Sequence, residues 1–218
     1  MTVTRAPTDP LDKLCREAVE LTGASSCGVT VLTRDGQSLT AHASGPEAQQ
    51  IEDLQHTLGE GPGPDASRSG VAVLASDLSD PAGPALERWP TFTREVIDAG
   101  VLAAYAFPLL LGTARIGALT LYRDFPGILS PRQLTHGFST ADAVAITLAA
   151  KGDGLPEPDL ADVMKVHRAA GMAMVQLGVP IDQALLRMRA IAYREGTSSD
   201  ELADAILRRS RRLSEVDR

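Results

Sequence analysis

Apolar positions along the first two-thirds of the chain alternate between helical and strand periods, and the switch points mark the elements. Leu11, Leu14, Cys15, Ala18 and Leu21 recur at three- and four-residue spacing. This predicts an amphipathic helix from Leu11 to Thr22, preceded by Asp9-Pro10 and ended by Gly23. Cys27 to Leu32 and Ser38 to Ala43 read as strands, joined by a hairpin turn at Arg34-Asp35-Gly36-Gln37. A helix from Glu47 to Leu58 follows. Residues 59–90 then lose any period and become rich in Gly and Pro, so they read as a long loop with one short strand, Val71 to Ala75. Helical spacing returns from Thr91 to Ala99 and stops at Gly100. Ala103 to Leu110 and Arg115 to Tyr122 form the clearest strand pair. Ser130-Pro131 opens a long helix, Ser130 as N-cap and Pro131 at the first helical position. That helix carries Leu134, Phe138, Ala141, Ala145 and Leu148 and runs to about Lys151. This order predicts an α+β fold, an antiparallel sheet flanked by helices.

The rest of the chain has only the helical period. One helix is expected from Leu160 to Leu177, with Val163, His167, Ala170, Met174 and Leu177 on its stripe. A second starts at Val179-Pro180 and ends near Glu195, with Ala184, Met188, Ile191 and Ala192 on its apolar face. Ser198 and Glu201 form a capping box for a third, whose apolar residues continue through Leu213 to the end of the chain. Residues 152–158, with their Gly and Pro, read as a linker between a domain at 10–151 and a helical domain at 159–213. Three short helices enclose little core, so this unit should gain from packing or dimerisation.

Charge supports the division. Formal net charge is −7, which argues against a chain that coats a polyanion with its whole surface. The acidic excess lies in residues 1–159, whereas residues 160–218 are mildly basic. Aromatic residues are only 4%, so aliphatic side chains must fill the cores. No run is apolar enough for a membrane span, and no secretory leader is visible. Cys15 and Cys27 have neither zinc nor redox-motif spacing and read as reduced thiols of a cytoplasmic protein. No catalytic triad, metal-ligand cluster or phosphate loop can be read, so no catalytic or metal residue is assigned and the cofactor stays unknown.

Several short motifs follow one another in order: Leu58-Gly59-Glu60-Gly61-Pro62, Asp77-Leu78, Arg88-Trp89-Pro90, Gly100-Val101, Ala106-Phe107-Pro108-Leu109 and Gly117-Ala118-Leu119-Thr120-Leu121-Tyr122. Together they resemble a GAF domain of actinobacterial type, over roughly residues 10–150. The resemblance implies a central antiparallel sheet and a sensory role. Many such relatives carry Cys after the Gly-Pro, where this chain has Gly63. The Gly/Pro-rich loop beside two apolar strands, with the resemblance, predicts an apolar pocket for a small molecule between sheet and loop. Its candidate lining is Gly61, Pro62, Trp89, Phe107 and Leu119. Trp89 has a second reading, as an anchor of the loop to the core.

Ala169, Gly171 and Met174, then Ala184, Met188, Arg189 and Ala192, then Ala203 resemble an ANTAR domain over about residues 160–210. That resemblance implies an RNA-binding output module acting in transcription antitermination on hairpin RNA. DNA and membrane are not expected partners. It makes Arg189 the candidate contact to an RNA loop base or phosphate. Lys165, Arg168, Arg187 and Arg194 are candidate backbone contacts, and Tyr193, one turn from Arg189, a candidate stacking face. Arg189 and Arg187 should lie on different sides of their helix. Where the family usually has Lys, this chain has Ala170, so Ala170→Lys is expected to strengthen RNA binding. The chain thus reads as a homodimeric, non-enzymatic regulator. The alternative is that the helical tail serves only dimerisation or protein interaction.

Overall fold

The computed structural model describes residues 9–32, 38–112, 114–151, 160–197 and 199–214. The expected hairpin turn at 34–37, the linker at 152–158 and the capping residue Ser198 lie outside the described residues. Helix α1 (Pro10–Thr22) starts where the Asp9 side chain accepts from the Leu11 amide at 3.2 Å, and ends at Gly23 in the left-handed conformation. Strands β1 (Ser26–Leu32) and β2 (Ser38–Ala43) follow, then α2 (Pro46–Leu58), α3 (Pro62–Ser69), β3 (Val73–Ala75), α4 (Ala85–Arg88) and α5 (Pro90–Asp98). Strands β4 (Ala103–Leu111) and β5 (Ala114–Arg123) lead into α6 (Pro131–Lys151). Ser130 and Gln133 cap α6 reciprocally: the Gln133 amide donates to Ser130 Oγ at 3.3 Å, and the Ser130 amide to Gln133 Oε1 at 3.0 Å.

The five strands form one antiparallel sheet in the order β2-β1-β5-β4-β3. Alternation along β4 and β5 supplies two different cores, as a strand with both faces covered must. Tyr105, Phe107, Leu109, Leu119 and Leu121 face one side, where α1 and α6 cover them. Ala104, Ala106, Ala118 and Tyr122 face the other, under α2 to α5. The first face is filled by large side chains, with Phe107 edge-on to Phe138 at 5.1 Å. The second is lined mostly by alanine, which lets helices approach the sheet closely.

Two helices interrupt the segment expected to be a loop. Helix α3 contains Pro62 and Pro64, yet both fall in its first turn, where backbone amides have no intrahelical partner to lose. Helix α4 is a single turn. The strand expected from Val71 starts at Val73.

The C-terminal part holds α7 (Leu160–Leu177), α8 (Ile181–Glu195) and α9 (Ser199–Leu207). They enclose their own core of Val166, Ala169, Ala173, Leu177, Met188, Ile191, Leu202 and Ile206. The third helix does not run to the end of the chain, as its apolar spacing suggested. It stops at Leu207, Arg209 takes a left-handed φ of 60°, and the chain turns back. Leu213 is returned to the helical core, and its amide donates to Gln176 Oε1 at 2.7 Å. Helix α8 also rests on α6, with Leu186 and Ala190 packed against the main core. Among the described residues, no helix is long and apolar enough to cross a membrane.

Candidate functional site

Helix α2 presents Ala48, Ile51, Glu52 and Gln55 on one face, the spacing that puts a carboxylate and an amide beneath the sheet. Glu52 and Gln55 are both 1% exposed. The Tyr122 hydroxyl donates to Glu52 Oε1 at 2.6 Å. Gln55 Nε2 donates to the Tyr122 hydroxyl at 2.8 Å and to Glu52 Oε2 at 3.2 Å. The Gly63 amide, in the first turn of α3, donates to Gln55 Oε1 at 2.9 Å. Burial pushes the Glu52 carboxyl up to about 7, against the opposing pull of its hydrogen bonds to Tyr122 and Gln55. Burial, and then the Glu52 charge, raise the Tyr122 hydroxyl well above its ordinary value.

Two glycines make room for this network. A Cβ on Gly28 would sit 1.9 Å from Glu52 Oε1. A Cβ on Gly63 would come within 3.1 Å of both Gln55 Oε1 and Thr120 Oγ1. Gly63 therefore seats α3 on the network, and a cysteine there would press on it.

A second cluster joins α3 to α4 and α5. Asp65 accepts from Arg88 Nε at 2.7 Å and from Trp89 Nε1 at 3.0 Å, and also pairs with Arg68. Arg88 lies over the Trp89 ring at 5.0 Å. Glu60 accepts from the Thr91 and Phe92 amides, each at 3.0 Å, so its carboxylate closes the N-terminus of α5. Trp89, 4% exposed, is the anchor that the second reading expected. It also lines a groove of about 480 Å³ beside β3, with Val73, Ala75, Asp77, Asp80 and Arg88.

This groove is not the pocket expected from the sequence. Gly61 and Pro62 are buried at the start of α3, and neither they nor Phe107 and Leu119 line it. Phe107 and Leu119 point to the opposite face of the sheet, into the core under α1 and α6. Their strand parity decides this, because neighbours Ala106 and Ala118 take the face beneath α3. Helix α3 and the Glu52–Gln55–Tyr122 network pack against the sheet face where the pocket was expected. The network's signal in the sequence was the helical spacing of Glu52 and Gln55 with Ala48 and Ile51, which puts polar groups on the inward face.

The candidate RNA residues are divided among three settings. Arg189 is not presented on an open surface. It pairs with Asp142 of α6, and burial lowers its guanidinium to about 10. Arg187 and Arg194 line a groove of about 710 Å³ between α6 and α8. Arg189 and Arg187 thus flank Leu186 and Ala190 on either side of the line where α8 meets α6. Lys165 lies 3.8 Å from Asp204 of α9, which also pairs with Arg208 at 3.4 Å. Arg168, Arg208, Arg209 and Arg212 are exposed. The Tyr193 side chain lies outside the described part of the structure. Ala170 is fully buried in the helical core, so the expected gain from Ala170→Lys is overturned: the ammonium would enter that core.

Among the described residues, no three His, Cys, Asp or Glu side chains come together to hold a metal ion. Cys15 and Cys27 are both fully buried, with sulfurs 2.8 Å apart.

Known structures share the arrangement of this sheet and its helices. The GAF domain region of a membrane protein from Geobacter sulfurreducens PCA matches with a TM-score of 0.53 at 14% identity, covering 64% of this chain and 91% of that one. A domain of a two-component sensor histidine kinase protein from Sinorhizobium meliloti 1021 matches with 0.52 at 11% identity, covering 67% and 93%. A type II free methionine-R-sulfoxide reductase from Thermoplasma acidophilum matches with 0.50 at 18% identity, covering 64% and 90%. No curated protein matches this sequence. These likenesses show the fold, and the GAF domain family model matches residues 4–149. By that match, over more than half of its length, the chain belongs to the GAF domain family.

Proposed function

We propose that this protein is a cytoplasmic, non-enzymatic regulator whose GAF domain controls an RNA-binding helical module. A GAF domain is a small-molecule or signal sensing module. The helices beyond it would bind hairpin RNA and act in transcription antitermination, as their resemblance to an ANTAR domain implies. One observation carries this reading: cationic side chains gather on α7 and just after α9 in an otherwise acidic chain. Asp204 draws Lys165 and Arg208 together, with Arg168, Arg209 and Arg212 exposed. Phosphates suit such a surface, and unpaired loop bases supply the specificity. In this reading Arg189 holds α8 on α6, and the RNA-facing residues are those of α7 and of the segment that follows α9.

The test uses the full chain and two RNAs, a loop-bearing hairpin and a fully paired duplex of the same length. Preferred binding of the hairpin is expected, with affinity falling steeply as salt rises. Arg168→Gln with Arg208→Gln should weaken both RNAs and reduce the salt dependence by about two counterions. Equal affinity for the two RNAs, unchanged in the variant, would overturn the reading.

A second reading rests on exposed apolar residues near the α7–α8 corner. Met174, Val175 and Ile181 are 37%, 76% and 43% exposed. They favour a module that pairs two copies of the chain, with or without RNA.

A further inference from the structure

Cys15 and Cys27 come from elements that are held in different ways. Cys15 lies on the buried face of α1, between Leu11 and Ala18. Cys27 lies on β1, whose main chain is paired with β2 on one side and β5 on the other. Alternation along β1 turns Cys27 and Val29 toward α1 and leaves Gly28 toward Glu52. The two sulfurs therefore meet in the layer between helix and sheet, 2.8 Å apart and fully buried. A sulfur–sulfur bond of about 2.05 Å needs them to close by less than about 1 Å. Among the described residues, no metal-binding cluster includes the pair, so each thiol has the other as its reaction partner. Burial pushes the Cys27 thiol well above its ordinary value, so the closed packing is slow to react and exchange requires α1 to lift. Helix α1 is held by side-chain packing and by the Arg123 and Gln133 side chains, which donate to the Thr22 carbonyl. It has no strand ladder to break, and it opens at lower cost than β1.

We propose that Cys15 and Cys27 are a reversible redox pair, joined by exchange with a low-molecular-weight disulfide into a bond that fastens α1 to β1. While α1 is lifted, one cysteine thiolate attacks a sulfur of the reagent, whose S–S bond breaks and releases one thiol. The other cysteine thiolate attacks the protein sulfur of that mixed disulfide and releases the second thiol. Two protein thiols are oxidised, one reagent disulfide is reduced, and the two protons end on the two released thiols. The closed packing holds the sulfurs together, so the fold favours the bond, and the bond favours the closed position of α1. In a cytoplasmic setting such a bond is a switch and not a permanent staple. Helix α1 packs on α6, and α6 carries α8. The redox state of the pair therefore sets how firmly the layer beneath the C-terminal unit is held. The proposal stands without RNA binding, because neither its residues nor its test involve the cations of the C-terminal unit.

Glutathione and its disulfide are the probe. The full chain is carried from urea into buffers of graded glutathione ratio, quenched in acid, alkylated and weighed by mass spectrometry. A parallel series keeps the urea. The folded chain should become the internal disulfide and retain no glutathione, because the closed site has no room for it. The effective concentration of one thiol toward the other, read from the buffer at half-oxidation, should be at least about tenfold higher in the fold than in urea. Oxidation should also slow hydrogen exchange in α1 by about tenfold or more and leave the β4–β5 amides unchanged. The double variant Cys15→Ser with Cys27→Ser should show the same α1 exchange in oxidising and reducing buffer. The wild-type titration needs no variant, so it decides the matter even if the double variant fails to fold. The proposal is overturned if the folded chain stays reduced in buffers that oxidise the unfolded one, if it accumulates glutathione adducts, or if α1 exchanges equally fast in both redox states.

Discussion

Glu52 is a carboxyl group enclosed by Tyr122, Gln55 and a glycine that leaves it room. Its pKa lies at about 7 in the folded protein, above the ordinary 4.5. The folded state therefore holds a proton that the unfolded chain releases earlier. Stability from this group is complete below the unfolded value and is lost as pH rises through about 7. The expected loss is on the order of 3 kcal/mol between those limits. Urea unfolding of the wild type from pH 4.5 to 8 should show this fall, and Glu52→Gln should flatten it. An unchanged slope in the variant refutes the assignment. The buried thiols give a second test at this scale. Burial, then the neighbouring Cys15 sulfur, raises the Cys27 thiol well above its ordinary value, and both side chains are inaccessible. An aromatic disulfide reagent should react with neither in the native state and with both after unfolding. Rapid native labelling of either one would contradict the packing of α1 on β1.

At the scale of elements, α3 and the α6–α8 contact are the two informative cases. Helix α3 lies against β4 and β5 through Ala66 and Gly63. Gly63→Val should press on Gln55 and Thr120, costing about 1–3 kcal/mol by overpacking and lowering the melting temperature. The α6–α8 contact depends on Asp142 and Arg189. Asp142→Ala leaves the guanidinium partly buried and unpaired, a cost of about 2 kcal/mol to docking. Hydrogen exchange should then quicken in α8 while the β4–β5 amides stay protected. Equal quickening in the sheet would mean that the pair supports the whole fold and not one contact. Both elements were partly legible in the sequence. The helical stripe of α8 was clear, but a stripe does not name its neighbour, and Asp142 lies far from Arg189 along the chain. The prolines of α3 hid a helix, because Pro breaks helices only beyond the first turn.

At the scale of the whole molecule, the charge division and the exposed apolar residues bear on assembly. Ile146 on α6 is 66% exposed, and Val175 on α7 76%. A two-fold dimer through helices is the expected state, and sedimentation at tens of micromolar tests it. Val175→Glu should shift the chain toward monomer if the α7–α8 corner is the contact. A monomeric wild type sinks the dimer. Such a dimer would present two basic surfaces, and two hairpins on one RNA would then be held with avidity that neither site has alone.

The alternation of helix and strand, the main strand pair and the three helices after Lys151 could be read from the amino-acid sequence alone. These depend on near-neighbour periodicity and on caps such as Asp9, Ser130 and Gly23, which act within one or two turns. Which face of β4 and β5 meets which helices was settled by packing. That choice moved Phe107 and Leu119 away from the expected pocket, since a residue and its neighbour point to opposite sides of a sheet. Only the fold could bring Glu52 to Tyr122, Asp65 to Trp89 and Asp142 to Arg189. Such long-range pairs carry no local period. Their energies depend on burial, and burial is a property of the packed molecule.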